Sequence, residues 1–323
     1  MRTGFQRFPC DLKVGIRHPG GISRVVRVII GSLCVTLLGA CAVPRPSAPI
    51  DVGALDAERH RMAAIALASW SQEAARVFEV SYRLSVTAHD QGLCEHSRLE
   101  RGALLLGLDQ LPDSLADEVR HAGLLDHRLI VAAVAVGSPA AIAGLHAGDL
   151  VSDGTGLPGS SNDRVPVGSV GSMPVCDVDV VMDPSHDLYA QANVFGTIHV
   201  SQGMVQALHD DDSLAFVIGH ELGHLVRGDT AAYRWMDAPA SRDQERQADL
   251  FGIQLAASAG FNVGNVRDVW DRLARIDPDH VGQNLLRDHP LRAERNLRLQ
   301  QALTALVISA PAPAASDPAA ARH

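Results

Sequence analysis

Lysine is all but missing from this chain, where Lys13 is the only one in 323 residues. The 28 basic residues face 37 acids, for a formal net charge of −9, and they form no basic patch. Nucleic acid and anionic lipid head groups are therefore excluded as partners, since both are held by clustered positive charge. Long apolar runs are also lacking. The most apolar stretch, Val28 to Leu38, falls short of the roughly 20 residues that a membrane-spanning helix needs. Only five cysteines occur and none belongs to a paired Cys motif, which excludes a cysteine-ligated zinc cluster. No long internal repeat is present, so no helical-repeat domain is appended.

Histidine and acid are there instead. His220-Glu221-Leu222-Gly223-His224 sets two imidazoles four residues apart, with a carboxylate beside the first. On a helix both histidines share one face and can grip a single metal ion, while Glu221 can reach a water bound to that metal. The flanking residues predict such a helix. Ser213 stands at its start, Leu214, Phe216, Val217, Leu222 and Leu225 recur at helical spacing, and Gly228 is placed to end it. Gly219 and Gly223 would each weaken a helix by about 1 kcal/mol, so their presence predicts close packing around a buried site.

A hydrolytic zinc takes three protein ligands and keeps one position for water. Glu245 is the candidate third ligand. It opens Glu245-Arg246-Gln247-Ala248-Asp249, the start of a second periodic segment through Ala248, Phe251, Ile253 and Leu255 that would pack back across the first. Asp249, one turn beyond Glu245, is placed to accept a hydrogen bond from a ligand histidine and fix its tautomer.

Two further sets of residues join these motifs. Asp288-His289-Pro290 and Arg295 follow them, while Asn193-Val194-Phe195, Ile198-His199-Val200 and Gly203-Met204-Val205 precede them. Together they resemble the gluzincin zinc metallopeptidases, the family of the CAAX prenyl endopeptidases and bacterial HtpX, from about Cys176 to Arg298. The resemblance implies one Zn2+ per chain held by His220, His224 and Glu245, with Glu221 as general base. It also implies that His289 and Arg295 lie near the reacting carbonyl as oxyanion donors. In the family the strand before the zinc helix borders the cleft, so Asn193, Val194, Phe195 and Gly196, continuing to Val200, are expected to pair with an extended protein or peptide substrate. One position departs from the pattern. Many relatives carry another histidine five residues after the second ligand, where this chain has Asp229; with three ligands in hand, the change touches only the surroundings of the site.

Arg24 and Arg27 ahead of Val28 to Leu38 suit a secretory signal, and Leu38-Gly39-Ala40-Cys41 resembles the bacterial lipobox. That implies cleavage before Cys41, a lipid on its sulfur, and a cell-envelope lipoprotein facing the periplasm. Ala42, where the enteric sorting pattern would use aspartate for retention, favours the outer membrane. Without residues 1–40 the chain keeps 22 basic against 36 acidic residues, a formal charge of −14, so membrane attachment rests on the lipid. Cys94 and Cys176 then remain. In an oxidising compartment they are expected to form a disulfide closing a loop of roughly 80 residues and contributing about 4 kcal/mol.

The expected fold class is α+β: a mainly helical zincin-type metallopeptidase domain with a small β-sheet, plus a small PDZ-like β-rich insert. A signal peptide with lipobox over 1–40 leads into a proline-rich linker at 41–54. An N-terminal helical part follows at 55–106, its helix using Ile65, Leu67, Val77, Val80 and Leu84. The insert occupies 107–171. Its β-branched run Arg128 to Val136, Gly137-Ser138-Pro139-Ala140-Ala141 and Ala147-Gly148-Asp149-Leu150 resemble the core of a bacterial PDZ domain, while Gly154 to Gly171 reads as loop where a complete module has its second helix. The metallopeptidase core runs over 172–308 and closes with a helix from Arg292 to Leu306 on Leu297, Leu299, Leu303 and Leu306. Residues 309–323, rich in alanine and proline, read as a disordered tail.

The expected activity is zinc-dependent hydrolysis of peptide bonds in unfolded or misassembled envelope proteins. The rival is a non-catalytic binding protein or holdase that keeps the scaffold. Glu221 separates the two, because a structural site buries zinc behind four protein ligands and has no use for that carboxylate.

Overall fold

The computed structural model describes residues 50–125, 129–151, 170–230, 242–276 and 293–309. The signal segment with Cys41, most of the Gly154 to Gly171 loop, His289 and the tail from residue 310 lie outside them. Helix α1 spans Val52–Asp90, and Trp70, Val77, Val80, Leu84 and Ala88 on it recur every three to seven residues and are buried. Ile65, expected on that stripe, is 57% exposed. Ala63 and Leu67 on either side of it are turned inward, Ala63 buried and Leu67 packed on the main core, so Ile65 lies off the buried face of the helix.

After α1, strand β1 (Ser97–Glu100) pairs antiparallel with the later β5 (Met173–Cys176). Cys94 and Cys176 are joined as a disulfide with Cα atoms 5.6 Å apart, within the usual range, which ties the end of α1 to β5. Strand β2 (Ala103–Leu106), β3 (Leu129–Val134) and β4 (Leu150–Val151) form a separate antiparallel sheet in that order. Between β2 and β3 stands α2 (Asp113–His121), which the sequence reading did not anticipate because only Leu115, Ala116 and Val119 are apolar in its nine residues. Its Ala116 and Val119 join the main core. The short α3 (Pro139–Ile142) begins at Ser138, whose Oγ accepts the Ala141 N–H at 3.2 Å. Val131, Ala140, Leu145 and Val170 make a small core of their own. A three-stranded sheet thus stands in this part of the chain, its first strand ahead of residue 107, while α2 packs on the main core.

The third sheet positions the site. It contains β6 (Asp179–Asp183), β7 (Ala190–Ala192) and β8 (Thr197–Ser201) in the order β6-β8-β7, with β6 parallel and β7 antiparallel to β8. Ser201 then caps α4 (Gln202–Ala207) through its Oγ, 3.1 Å from Met204 N. Helices α5 (Asp211–Val226), α6 (Arg242–Ser258), α7 (Val266–Ile276) and α8 (Ala293–Ser309) follow. Ile198 and Val200 of β8, Met204 of α4, Phe216 and Leu222 of α5, Ile253 of α6 and Leu299 of α8 share one core. Leu297 of α8, expected inside, is 58% exposed. Among the described residues no helix is long and apolar enough to cross a membrane.

The cap of α5 is Asp210 rather than Ser213. Its Oδ1 accepts the Ser213 N–H at 2.7 Å, while Oδ2 lies 3.2 Å from the Arg272 guanidinium of α7. Partial burial pushes the Asp210 carboxyl upward, but the hydrogen bonds from Ser213 and Arg272 outweigh it and the pKa falls below its ordinary 3.8. A carboxyl depressed by folding stabilises above its unfolded pKa, and that contribution is lost as pH falls through the folded value. Asp210→Ala should therefore cost about 1 kcal/mol at neutral pH. In urea titrations the gap from wild type should close progressively below about pH 4; an undiminished gap in stronger acid would contradict this.

Candidate metal centre

Glycines set how closely α5 and α6 cross. A Cβ on Gly219 would stand 3.2 Å from Gly252 Cα, one on Gly223 would stand 3.2 Å from Ala248 Cα, and one on Gly252 would come 2.8 Å from His220 N. The two backbones touch at the level of the histidines, the reason such poor helix formers are used there. This contact carries Glu245 onto the histidine pair.

His220 Nε2 and His224 Nε2 lie 3.2 Å apart. Glu245 offers Oε1 at 3.4 Å from the His224 nitrogen and Oε2 at 3.7 Å from that of His220. Tetrahedral zinc with bonds near 2.05 Å requires ligand atoms about 3.3 Å apart. The observed separations bracket that value. His220, His224 and Glu245 are 3%, 1% and 2% exposed, and their ligand atoms lie within 4.8 Å of one another.

The opposite nitrogens fix the tautomers. His220 Nδ1 lies 3.0 Å from Asp249 Oδ1, and His224 Nδ1 lies 3.1 Å from Asp229 Oδ2. An ionised carboxylate only accepts, so each Nδ1 carries the proton and each Nε2 lone pair faces the other histidine and Glu245. Two lone pairs and a carboxylate aimed at one buried point repel unless a cation lies between them. The donor set therefore fits a divalent metal.

Asp229 is the residue that sequence reasoning undervalued. Gly228, at φ 70°, turns the chain after α5 so that Asp229 comes back beneath His224. Its other oxygen accepts from Gln244 Nε2 at 3.1 Å. The signal was available, because two ligand histidines require two acceptors and Asp249 can serve only one.

Glu221 is 3% exposed, and its Oε2 accepts the Ala192 N–H at 2.8 Å. That contact places the base beside β7. Strand β8 is paired on both sides, which leaves Thr197 to Val200 no free edge for the substrate strand that the resemblance implied. Asn193, Val194, Phe195 and Gly196 form the turn between β7 and β8, with Asn193 Oδ1 accepting the N–H groups of Phe195 and Thr197 at 2.8 and 3.1 Å and Gly196 at φ 83°. An Asn-x-x-Gly sequence favours such a turn over continuous strand. Among the described residues the outer strand of this sheet at the site is β7, Ala190–Ala192, which pairs only with β8. Just ahead of it Tyr189 donates its hydroxyl to Asp183 Oδ2 at 2.8 Å, and burial together with that carboxylate pushes its pKa up to about 12.

The structure brings together His220, Glu221, His224, Glu245 and Asp249. It does not place the two expected oxyanion donors, since His289 lies outside the described residues and only the backbone of Arg295, in the first turn of α8, is described.

Comparison with known proteins points to the same part of the chain. Residues 172–238 and 230–303 match the profile of Peptidase family M48. The chain is also 28% identical over 135 residues to the mitochondrial metalloendopeptidase OMA1 of Arabidopsis thaliana. That match covers 33% of this chain and 28% of the relative, so the chain spans little more than a quarter of the relative's length. The segment that resembles Peptidase family M48 is thus the one that holds both histidines, Glu221 and Glu245.

Proposed function

We propose that this chain is a zinc-dependent endopeptidase acting on unfolded or misassembled proteins of a bacterial cell envelope. The observation that carries this reading is the buried convergence of His220, His224 and Glu245 beside Glu221, a carboxylate that a purely structural zinc site would not need. The M48 match supports hydrolysis as the chemistry. Zn2+ held by these three residues would lower the pKa of a bound water to about 7 and polarise the scissile carbonyl.

The residues divide the remaining work. Glu221 takes the proton of the attacking water and returns it to the leaving amine. Ala190–Ala192 offers backbone groups to an extended substrate, which aligns the scissile bond with little regard to side-chain identity. A substrate carbonyl that takes the Ala192 N–H would release Glu221 Oε2 for proton transfer. His289 and Arg295 supply oxyanion donors, one such donor being worth about 3 kcal/mol. A lipid on Cys41 of the lipobox-like Leu38-Gly39-Ala40-Cys41 tethers the enzyme to the envelope, facing the periplasm and on the outer membrane, and the PDZ-like unit lies beside the catalytic core.

The test is digestion of a permanently unfolded protein by zinc-loaded wild type and by the Glu221→Gln variant. Cleavage by wild type alone is expected, and equal cleavage by the two rules the mechanism out.

A further inference from the structure

A cleft lined by none of the metal-centre residues lies between α1 and β6. Its volume is about 490 Å3, within the range of pockets that bind ligands. One wall is a single face of α1, including Trp70, Val77, Phe78 and Tyr82, and the floor includes Leu104 and Leu106 of β2. The opposite wall is Val178 through Met182, five consecutive residues. Side chains alternate across a strand, so a cavity over one face would meet every second residue. Contact with all five means that the cleft runs along the edge of β6.

That edge is open. Strand β6 pairs only with β8 among the described residues. Asp179 N donates to Gly196 O at 3.2 Å, which turns the backbone groups of Asp179, Val181 and Asp183 toward β8. The alternate residues Val180 and Met182 therefore direct their N–H and C=O groups outward, toward the cleft. Val181 stays 42% exposed beside them.

The mouth is acidic. Glu100, Asp109 and Asp179 line it against one cation, Arg98. The Arg98 charge is already engaged by Glu100 at 2.9 Å, by Asp177 at 3.6 Å and by Asp179. What remains is an apolar trough, an unpaired strand edge and a net negative rim.

We propose that this groove binds an extended peptide segment in which apolar residues alternate with lysine or arginine, adding as a strand to the outer edge of β6. The backbone bonds go to Val180 and Met182, apolar side chains enter between α1 and β2, and basic side chains meet Asp109, Glu100 and Asp179. The occupant's chemistry is the complement of this chain, whose own composition is acidic and nearly free of lysine. Binding here does not depend on the metal centre and goes beyond the peptidase reading.

The test uses the full chain carrying Glu221→Gln, so that no turnover enters, and the anisotropy of a fluorescein-labelled peptide of alternating lysine and valine. Saturable binding is expected, weakened by added salt, with a glutamate–valine peptide bound at least about tenfold more weakly. Val180→Pro removes one outward N–H and spares the bonds to β8, so it should weaken binding about tenfold. Asp109→Lys, on the exposed rim, should weaken it about threefold to fivefold and serves if Val180→Pro loses its cooperative thermal transition. Wild-type affinity in Asp109→Lys, or equal affinity for the two peptides, overturns the proposal. If the Glu221→Gln background still cleaves, the peptidase mechanism fails while the binding result stands.

Discussion

Glu221→Gln is expected to lower turnover of an unfolded protein by about 10² to 10⁴-fold, the usual range for a positioned general base, and to leave zinc content unchanged. The amide keeps the shape of the side chain but cannot take a proton from water. Since Glu221 is not among the three converging ligands, the metal should stay. The Ala192 N–H now bonds Glu221 Oε2, and the amide oxygen can accept that bond, so the β7 edge should hold its position. Parallel assays of zinc content and of cleavage separate the two outcomes. Lost zinc would make Glu221 part of the metal cage, and unchanged cleavage would move the chemistry elsewhere.

Asp229→Ala and Asp249→Ala should each reduce zinc affinity by about 10 to 100-fold, as loss of a carboxylate behind a ligand histidine commonly does. Asp249 holds His220 and Asp229 holds His224, so the two act on different ligands. If their effects add, the double variant should lose about 10² to 10⁴-fold. Removal of either leaves a buried Nδ1–H without that acceptor, frees the ring to change tautomer, and swings the Nε2 lone pair off the metal. Competition with a chromophoric chelator measures the affinity. A silent Asp229→Ala beside a damaging Asp249→Ala would mean that His224 is held by packing alone.

The parts of this site that were legible in the sequence are the local ones. A four-residue spacing dictates that His220 and His224 share a helical face, and glycines in a helix imply a close neighbour, here Gly252 and Ala248 of α6. The helices were legible where apolar periodicity is strong, as on α1 beyond Trp70. It fails for α2, whose nine residues bury only Ala116 and Val119, and for Ile65 and Leu297, which are exposed. Pairing between strands was not legible. Asn193 to Val200 looks like one strand in isolation, and only the pairing of β8 with both β6 and β7 reveals that the outer strand of the described sheet is Ala190–Ala192. For Asp229 the sequence carried only the requirement of a second acceptor; which residue meets it depends on the turn at Gly228 and on Gln244 from the next helix. Long-range geometry decides those assignments, and no local pattern encodes it.

Zinc content of the purified chain, compared between wild type and Glu245→Ala, tests the central claim most directly. The account predicts one zinc per wild-type chain after dialysis and a variant that folds but is stripped of metal under the same conditions. A wild type without zinc, or a variant that retains a full equivalent, would contradict it.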